Sequence, residues 1–209
     1  MLTTETLLFI LLAYLTGAFP SAVWVGKTFY KIDVREFGSG NAGATNTFRV
    51  LGKKAGIPVL IMDILKGWLC VNYILFLTTI PQTAELVFET QLAFGIAAVI
   101  GHLFPVYTGF RGGKGIATLL GILIGLNPVA AFFSILVFVV VFISSKYVSL
   151  GSILASISFP ILVIFILGST NTSLNLFAFF VPILSLITHQ KNIERLLRGE
   201  ETKVTFGKK

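Results

Sequence analysis

IATLLGILIGLNPVAAFFSILVFVVVFISS, residues 116–145, contains no charged side chain, and its reading decides the fold. A helix needs about 20 consecutive apolar residues to cross a bilayer, and Asn127-Pro128 is a helix-breaking pair. The stretch therefore reads as two membrane helices, 115–126 and 128–144, the first of them short for a full crossing. Working outward, the charge-free runs 6–26, 67–84, 90–110 and 147–190 repeat the pattern. Pro81 marks the second reversal, and Gly168-Ser169-Thr170-Asn171 divides the last run. The predicted helices are 6–26, 56–79, 90–104, 115–126, 128–144, 148–167 and 174–188. This is an all-α integral membrane protein with seven transmembrane helices, and with short helices and glycine-rich loops on the cytoplasmic side. Five crossings would require 147–190 to act as one very long element despite its polar break near Asn171, so seven is preferred.

Composition agrees. Of 209 residues, 55% are hydrophobic and 12% charged, with 20 Phe and a mean hydropathy of +0.91. Little is left for a soluble domain, so 1–209 reads as a single polytopic domain. The net charge of +7 is unevenly placed: fifteen of the 16 Lys and Arg lie in 27–54, 111–114, at 146 and in 191–209, with Lys66 the exception. With the N-terminus outside, all four stretches face the cytoplasm, as positive charge does in membrane proteins. The opposite loops carry Glu5, Glu85, Glu89 or no charge. Nucleic acid is excluded as a partner, because no soluble domain supports that reading. Cys70 is the single cysteine, which excludes an intramolecular disulfide and a multi-cysteine metal site. Glu5 and no Lys or Arg precedes the first apolar run, so that run is expected to be a retained helix rather than a signal peptide.

Between the first two predicted helices stands Gly38-Ser39-Gly40-Asn41-Ala42-Gly43-Ala44-Thr45-Asn46-Thr47-Phe48-Arg49. A loop that only reverses direction does not need this composition. Glycines let backbone N–H groups turn toward one anion, Ser39, Asn41, Thr45 and Asn46 add neutral donors, and Arg49 supplies a planar charged fork. Gly38, Gly40 and Gly43 match G-x-G-x-x-G, with Asp63 twenty residues on. But 31–37 is not a buried strand and Asp63 lies inside an apolar segment, so no dinucleotide-binding unit is present.

A second block reads Gly101-His102-Leu103-Phe104-Pro105, then Phe110-Arg111-Gly112-Gly113-Lys114-Gly115, and an apolar helix follows. That resembles an anion cradle at a helix N-terminus. It is not a nucleotide-hydrolysing P-loop, since position 108 is Thr where the first glycine belongs. Lys114, flanked by glycines, is the favoured cation, and His102 reads more readily as structural than as a base. The third block, from His189 to Glu200, begins where the last apolar run ends. If the helix continues through it, His189 and Asn192 lie one turn apart, while Arg195 and Arg198 suit an anchor at anionic headgroups. Asp63 and Lys66, three apart within an apolar helix, read as a mutually neutralising structural pair.

Taken in order, Gly-Ser-Gly-Asn-x-Gly-x-Thr-Asn-x-x-Arg, Gly-His-x-Phe-Pro with Phe-Arg-Gly-Gly-Lys-Gly, and His-x-x-Asn-Ile-x-Arg-Leu-x-x-Gly-x-Glu resemble the bacterial membrane glycerol-3-phosphate acyltransferases that use acyl phosphate, the PlsY family. Pro20-Ser21, Asp63-x-x-Lys66-Gly67 and Tyr147-Val148-Ser149-Leu150 extend the resemblance over nearly the whole chain. It implies transfer of a fatty acyl group from acyl phosphate to the 1-hydroxyl of glycerol 3-phosphate, giving lysophosphatidic acid and phosphate in phospholipid biosynthesis. It implies no cofactor and no metal, residence in the bacterial inner membrane among its lipids, a cytoplasmic active site, and transient contact with the soluble enzyme that makes acyl phosphate. By the same resemblance Ser39, Gly40, Asn41, Gly43, Thr45, Asn46, Gly112 and Gly113 hold acyl phosphate. Arg49, Lys114, Lys146, Ser149, His189 and Asn192 engage glycerol 3-phosphate, and Ser39, Arg49, Lys114, His189 and Asn192 are the expected catalytic set. Arg111 stands where Lys is often found.

Two other classes compete. An organic-phosphate transporter predicts broken helices at midplane and a polar path outward, and a structural lipid-binding protein has no need of Arg49 and Lys114 among hydroxyls and amides.

Overall fold

Helices make up every regular element among the described residues, 3–78 and 83–204 of a computed structural model, and no strand occurs among them. Thr79 and Pro81 in the second reversal lie outside the described residues, as do Lys208 and Lys209. The chain divides into two compact units, Met1–Leu126 and Asn127–Lys209.

In the first unit α1 spans Thr4–Ala18 and is capped by Thr3, whose side chain accepts the Thr6 N–H at 3.1 Å. The single helix expected over 6–26 is instead broken: α2, Ser21–Tyr30, leaves α1 at 44°. Pro20 is the cause. It has no N–H to donate and drives the residue before it out of the helical region, and Phe19 has ψ 117°. After the first glycine block come α3, Ala44–Leu51, and α4, Lys53–Val71, which tightens into a 3-10 turn over Asn72–Phe76. Helix α5, Ala84–Leu103, starts before the expected position 90, because Thr83 caps it by accepting the Leu86 N–H at 3.2 Å. The apolar α6 is Ile116–Leu126.

Glycine fixes how closely these helices cross. A Cβ on Gly17 would strike the Ala98 carbonyl and one on Gly101 the Tyr14 carbonyl, which brings α1 and α5 backbone to backbone. Gly67 against Thr118 and Gly121 against Ile64 do the same for α4 and α6. Hydrophobic exclusion from water does not hold helices together within lipid, and close backbone approach at small residues takes its place. Nearer the loops, Val34, Ala44, Ala55 and Val59 form a buried cluster with Ala22 and Val25, and the Phe48 ring lies over Gly56. This cluster seats the short helix α3 on α2 and α4.

In the second unit α7 spans Pro128–Ser145, capped by Asn127, and α8 spans Val148–Pro160 and continues as a π turn over Ile161–Ile166. Helix α9, Thr172–Thr188, is capped by Asn171, whose side chain accepts the Leu174 N–H at 2.8 Å. The last helix does not run straight through the third block as the sequence allowed. It bends by 66° at His189 into α10, Gln190–Leu197.

By length and composition, Lys53–Phe76, Ala84–Thr108, Pro128–Ser145 and Val148–Ile166 can each cross a membrane, and each bent pair adds one more candidate. Four to six candidate spans follow among the described residues, with α6 shorter than the rest.

Candidate active site

The first glycine block is a loop built around one side chain. Asn46, 1% exposed in the first turn of α3, accepts from the Ser39 backbone N–H at 2.8 Å and the Ser39 hydroxyl at 3.1 Å through Oδ1. Its Nδ2 donates to the carbonyls of Val34 at 2.8 Å and Phe37 at 3.1 Å. An amide side chain has two hydrogens to give, and both are used inside the loop. Asn46 therefore sets the shape of the block and has no hydrogen left for an anion, which differs from the donor role expected for it. Gly38 and Gly40 have φ of +61° and +72°, a region where side chains are strained. At Gly38 a Cβ would also collide with Asn46 Oδ1. Ser39 and Gly40 are exposed, Asn41 and Gly43 half-buried, and Thr45 and Arg49 exposed along α3. Gly43 is the N-cap of α3 and brings no capping side chain, so the helix start is lined by backbone N–H groups.

The second block is folded over His102 at the end of α5. The Gly113 N–H donates to the His102 carbonyl at 3.2 Å. A Cβ on Gly112 would strike that carbonyl and one on Gly113 would strike His102 Nε2, so only glycine lets the loop lie this close to the ring. Gly112, Gly113 and Lys114 are half-buried just ahead of α6. His102 itself is 6% exposed, with Nδ1 3.2 Å from Thr118 Oγ1 and 3.7 Å from Asp63 Oδ1.

Next to His102 is a buried polar cluster. Asp63 Oδ1 accepts from Ser21 Oγ at 2.8 Å and pairs with Lys66 Nζ at 2.9 Å. Lys66 also donates at 3.0 Å to the carbonyl of Phe19, the residue where α1 breaks. The sequence expectation of a mutually neutralising pair matches this geometry, and the pair closes the helix break as well.

Between the blocks lies Arg35, in the 3-10 turn Val34–Glu36. Its Nε and Nη2 donate to the two Asp33 carboxylate oxygens at 3.0 and 2.8 Å, and its Nη1 donates to the Thr108 carbonyl at 3.0 Å. The Arg35 guanidinium, opposed only in part by burial, holds the Asp33 carboxyl well below the usual carboxylate range, and the Arg35 pKa is raised in turn. Sequence reasoning gave neither residue a role.

In the second unit the third block converges on Glu201, a buried carboxylate. Its Oε1 accepts from Ser149 Oγ at 2.8 Å and Asn192 Nδ2 at 2.7 Å, and its Oε2 accepts from Arg195 Nε at 2.7 Å. Ser149 and Asn192, expected from separate motifs, are thus brought to one oxygen. Lys146 has φ +64° at the end of α7, and its carbonyl accepts the Val204 N–H at 2.9 Å, which ties the tail back to the α7–α8 turn. His189 is buried at the α9–α10 joint with Nδ1 2.8 Å from the Ser185 carbonyl. A carbonyl only accepts, so Nδ1 carries a proton and a neutral ring keeps its lone pair on Nε2. Glu201 was visible in the sequence only as the last letter of a motif.

Burial alone would push the Glu201 carboxyl up, but hydrogen bonds from Arg195, Asn192 and Ser149 outweigh it and hold it below its ordinary value. A lowered folded pKa gives stability that is present above the unfolded value and lost as pH falls through the folded one. The thermal midpoint is therefore expected to hold near neutral pH and to fall below the ordinary carboxylate range. Glu201→Gln, less stable than the parent at pH 7, should show a shallower acid limb. Equal acid limbs in the two proteins would remove Glu201 from this account.

By its fold the chain is a helical integral membrane protein, with glycine-lined loops that carry Lys and Arg. The glycerol-3-phosphate acyltransferase family profile matches residues 7–199. The chain is 43% identical to the glycerol-3-phosphate acyltransferase of Enterococcus faecalis, covering 97% of this chain and 94% of that one. It is 44% identical to the Staphylococcus aureus enzyme of that name, covering 94% and 96%. Among solved structures, PlsY (YgiH), an integral membrane glycerol 3-phosphate acyltransferase, in its glycerol 3-phosphate form superposes with a TM-score of 0.85 at 35% identity, covering 96% of each chain. Its lysophosphatidic acid form gives 0.81. The chain belongs to the glycerol-3-phosphate acyltransferase family.

Proposed function

We propose that the chain transfers a fatty acyl group from acyl phosphate to the 1-hydroxyl of glycerol 3-phosphate, releasing lysophosphatidic acid and phosphate. The observation that carries the reading is the pair of glycine blocks in one unit, joined through Arg35. Two phosphate-bearing substrates call for two anion-binding loops. A structural neighbour known in glycerol 3-phosphate and lysophosphatidic acid forms supports the acceptor and the product.

The chemistry needs little from the protein beyond alignment. Acyl phosphate is a mixed anhydride: the acceptor oxygen bonds to the acyl carbon, the carbon–oxygen bond to phosphate breaks, and the hydroxyl proton passes to a phosphate oxygen. No covalent enzyme intermediate is required. The residues hold the reactants in line and stabilise charge on the carbonyl oxygen and the departing phosphate. Ser39, Gly40, Asn41, Gly43, Thr45, Gly112 and Gly113 surround the acyl phosphate, in a loop whose shape Asn46 maintains. In the first unit Arg49 and Lys114 are the cations suited to glycerol 3-phosphate; in the second, Lys146, Ser149, His189 and Asn192 are the side chains of that kind, with Glu201 orienting Ser149 and Asn192. On this reading His189 orients the acceptor while the substrate phosphate takes its proton.

The chain acts as a single polytopic domain of the bacterial inner membrane. Four long spans and two bent pairs support up to six crossings; this reading adds the short α6 as the seventh, with the N-terminus outside and the basic loops and C-terminus cytoplasmic. Acyl phosphate reaches it from a soluble enzyme by transient contact. The break between α1 and α2, a feature a transporter would use, has its Phe19 carbonyl closed by the Ser21 N–H and Lys66 together, and this favours catalysis over transport.

Purified protein given palmitoyl phosphate and glycerol 3-phosphate should release phosphate and lysophosphatidic acid together, and should release neither product from palmitoyl-CoA. Equal turnover with the thioester would overturn the choice of donor.

A further inference from the structure

Arg35 is anchored in the first glycine block and holds the second. Its neighbours in the chain, Val34 and Phe37, supply the carbonyls that Asn46 grips, so its backbone belongs to the first loop. Its side chain ends on the carbonyl of Thr108, directly before Gly109 and Phe110, which both take positive φ as the chain turns toward Gly112 and Lys114. Asp33 fixes the guanidinium: the carboxylate receives Nε, Nη2 and also the Arg35 backbone N–H at 3.0 Å, so the side chain is braced at both ends. Asp33 is 9% exposed, and Lys27 adds a looser contact of 3.3 Å from a side chain that is 60% exposed.

We infer that Asp33 and Arg35 form a clasp that sets the separation of the two phosphate-binding blocks, making Arg35 a positioning residue for acyl transfer. This rests on the reading that the two blocks hold the two substrates. The reasoning is geometric. Each block keeps its own internal hydrogen bonds without the clasp: Asn46 shapes the first, and the His102 carbonyl with the Gly113 N–H shapes the second. What Arg35 adds is a rigid link between them. Arginine is required because three N–H groups in one plane address two oxygens of one residue and a carbonyl of another, and the point charge of lysine has no such fork. Transfer between two bound reactants is sensitive to displacements of about 1 Å. A loosened clasp should therefore leave each substrate bound and misaligned.

The test compares Arg35→Lys, Arg35→Ala, Asp33→Asn and, as a control, Lys27→Ala, each purified in detergent and assayed with palmitoyl phosphate and glycerol 3-phosphate per mole of folded protein. Arg35→Lys should lose about tenfold or more in kcat with both KM values within about threefold. Asp33→Asn should lose less, because the guanidinium still reaches Thr108. Millimolar guanidinium ion should restore part of the turnover of Arg35→Ala and leave Arg35→Lys unchanged. Lys27→Ala should stay within about twofold of the parent, as expected of an exposed pair. Unchanged kcat in Arg35→Lys, or a loss explained wholly by a smaller folded fraction, would overturn the inference. So would an equal loss in Lys27→Ala, which would point to loop charge in general. If the parent protein itself fails to turn over acyl phosphate, the fault lies with the donor assignment and the clasp is tested instead through the acyl donor that does support turnover.

Discussion

Asn46→Ala is expected to lower kcat/KM by about two orders of magnitude while the membrane helices stay folded. The substitution takes one of two donors from the Val34 and Phe37 carbonyls, leaving them the backbone N–H groups of Phe37 at 3.4 Å and Gly40 at 3.1 Å, and it removes the acceptor of the Ser39 N–H and hydroxyl. A lost hydrogen bond costs about 0.5–1.5 kcal/mol where the group keeps another partner and about 1–3 kcal/mol where it is left unsatisfied. The loop can recover part of that by turning the Phe37 and Ser39 groups to water, because Phe37 to Gly40 are exposed. The protein survives and the loop changes shape. A displacement of about 1 Å at a positioned reactant is enough for a 10²-fold loss. Asn46→Asp should be no better: it keeps an acceptor for Ser39 but sets a carboxylate against two carbonyls and adds negative charge to the loop proposed to hold acyl phosphate. Kinetics with both substrates, beside helicity and thermal midpoint in detergent, decide the matter. Near-normal turnover in Asn46→Ala would mean that the loop holds its form through glycine geometry alone.

The membrane helices were legible because lipid imposes one condition on every residue of a span, and a charge-free run meets it visibly. The break in α1 was harder to read, since Phe19 and Pro20 are both apolar and the run 6–26 passes through them without a charge. Only the steric rule for the residue before proline marks it. The start of α5 was placed too late because Glu85 and Glu89 look like loop residues, yet charged side chains at the end of a span can extend into the headgroup region while the helix continues.

The candidate site was legible by residue type and not by role. Asparagines in a glycine loop suit an anion as well as they suit a turn, and Asn46 is assigned to the loop only by its four partners. Ser149, Asn192 and Arg195 come from two helices, and nothing in their spacing reveals that Glu201 joins them. Arg35 passed unnoticed for the same reason: its second partner is a backbone carbonyl seventy-three residues away. Such contacts carry no side-chain signature at the far end.

The buried Asp63–Lys66 pair yields the largest expected effect on stability. Asp63→Ala alone leaves the Lys66 ammonium, 7% exposed, with the Phe19 carbonyl as its remaining named acceptor. Lys66→Met alone leaves the Asp63 carboxylate with Ser21 and takes the donor from the helix break. Breaking a buried pair by removing one partner costs about 3–5 kcal/mol, whereas replacing both with apolar groups is often nearly neutral. Each single variant should therefore lower the thermal midpoint in detergent by on the order of 10 °C, and Asp63→Ala/Lys66→Met should recover much of the loss. Recovery should be incomplete, because the Phe19 carbonyl is left with the Ser21 N–H alone and the Ser21 hydroxyl loses its acceptor. If the double variant is no more stable than the worse single one, the unmet charge is not the cause, and the cluster acts mainly by hydrogen bonding the break between α1 and α2. Activity separates the two cases as well. The pair stands 3.7 Å from His102, whose carbonyl and ring support the second glycine block. A stable double variant with weak turnover would therefore mean that the buried charges help to hold the second glycine block in addition to stabilising the bundle.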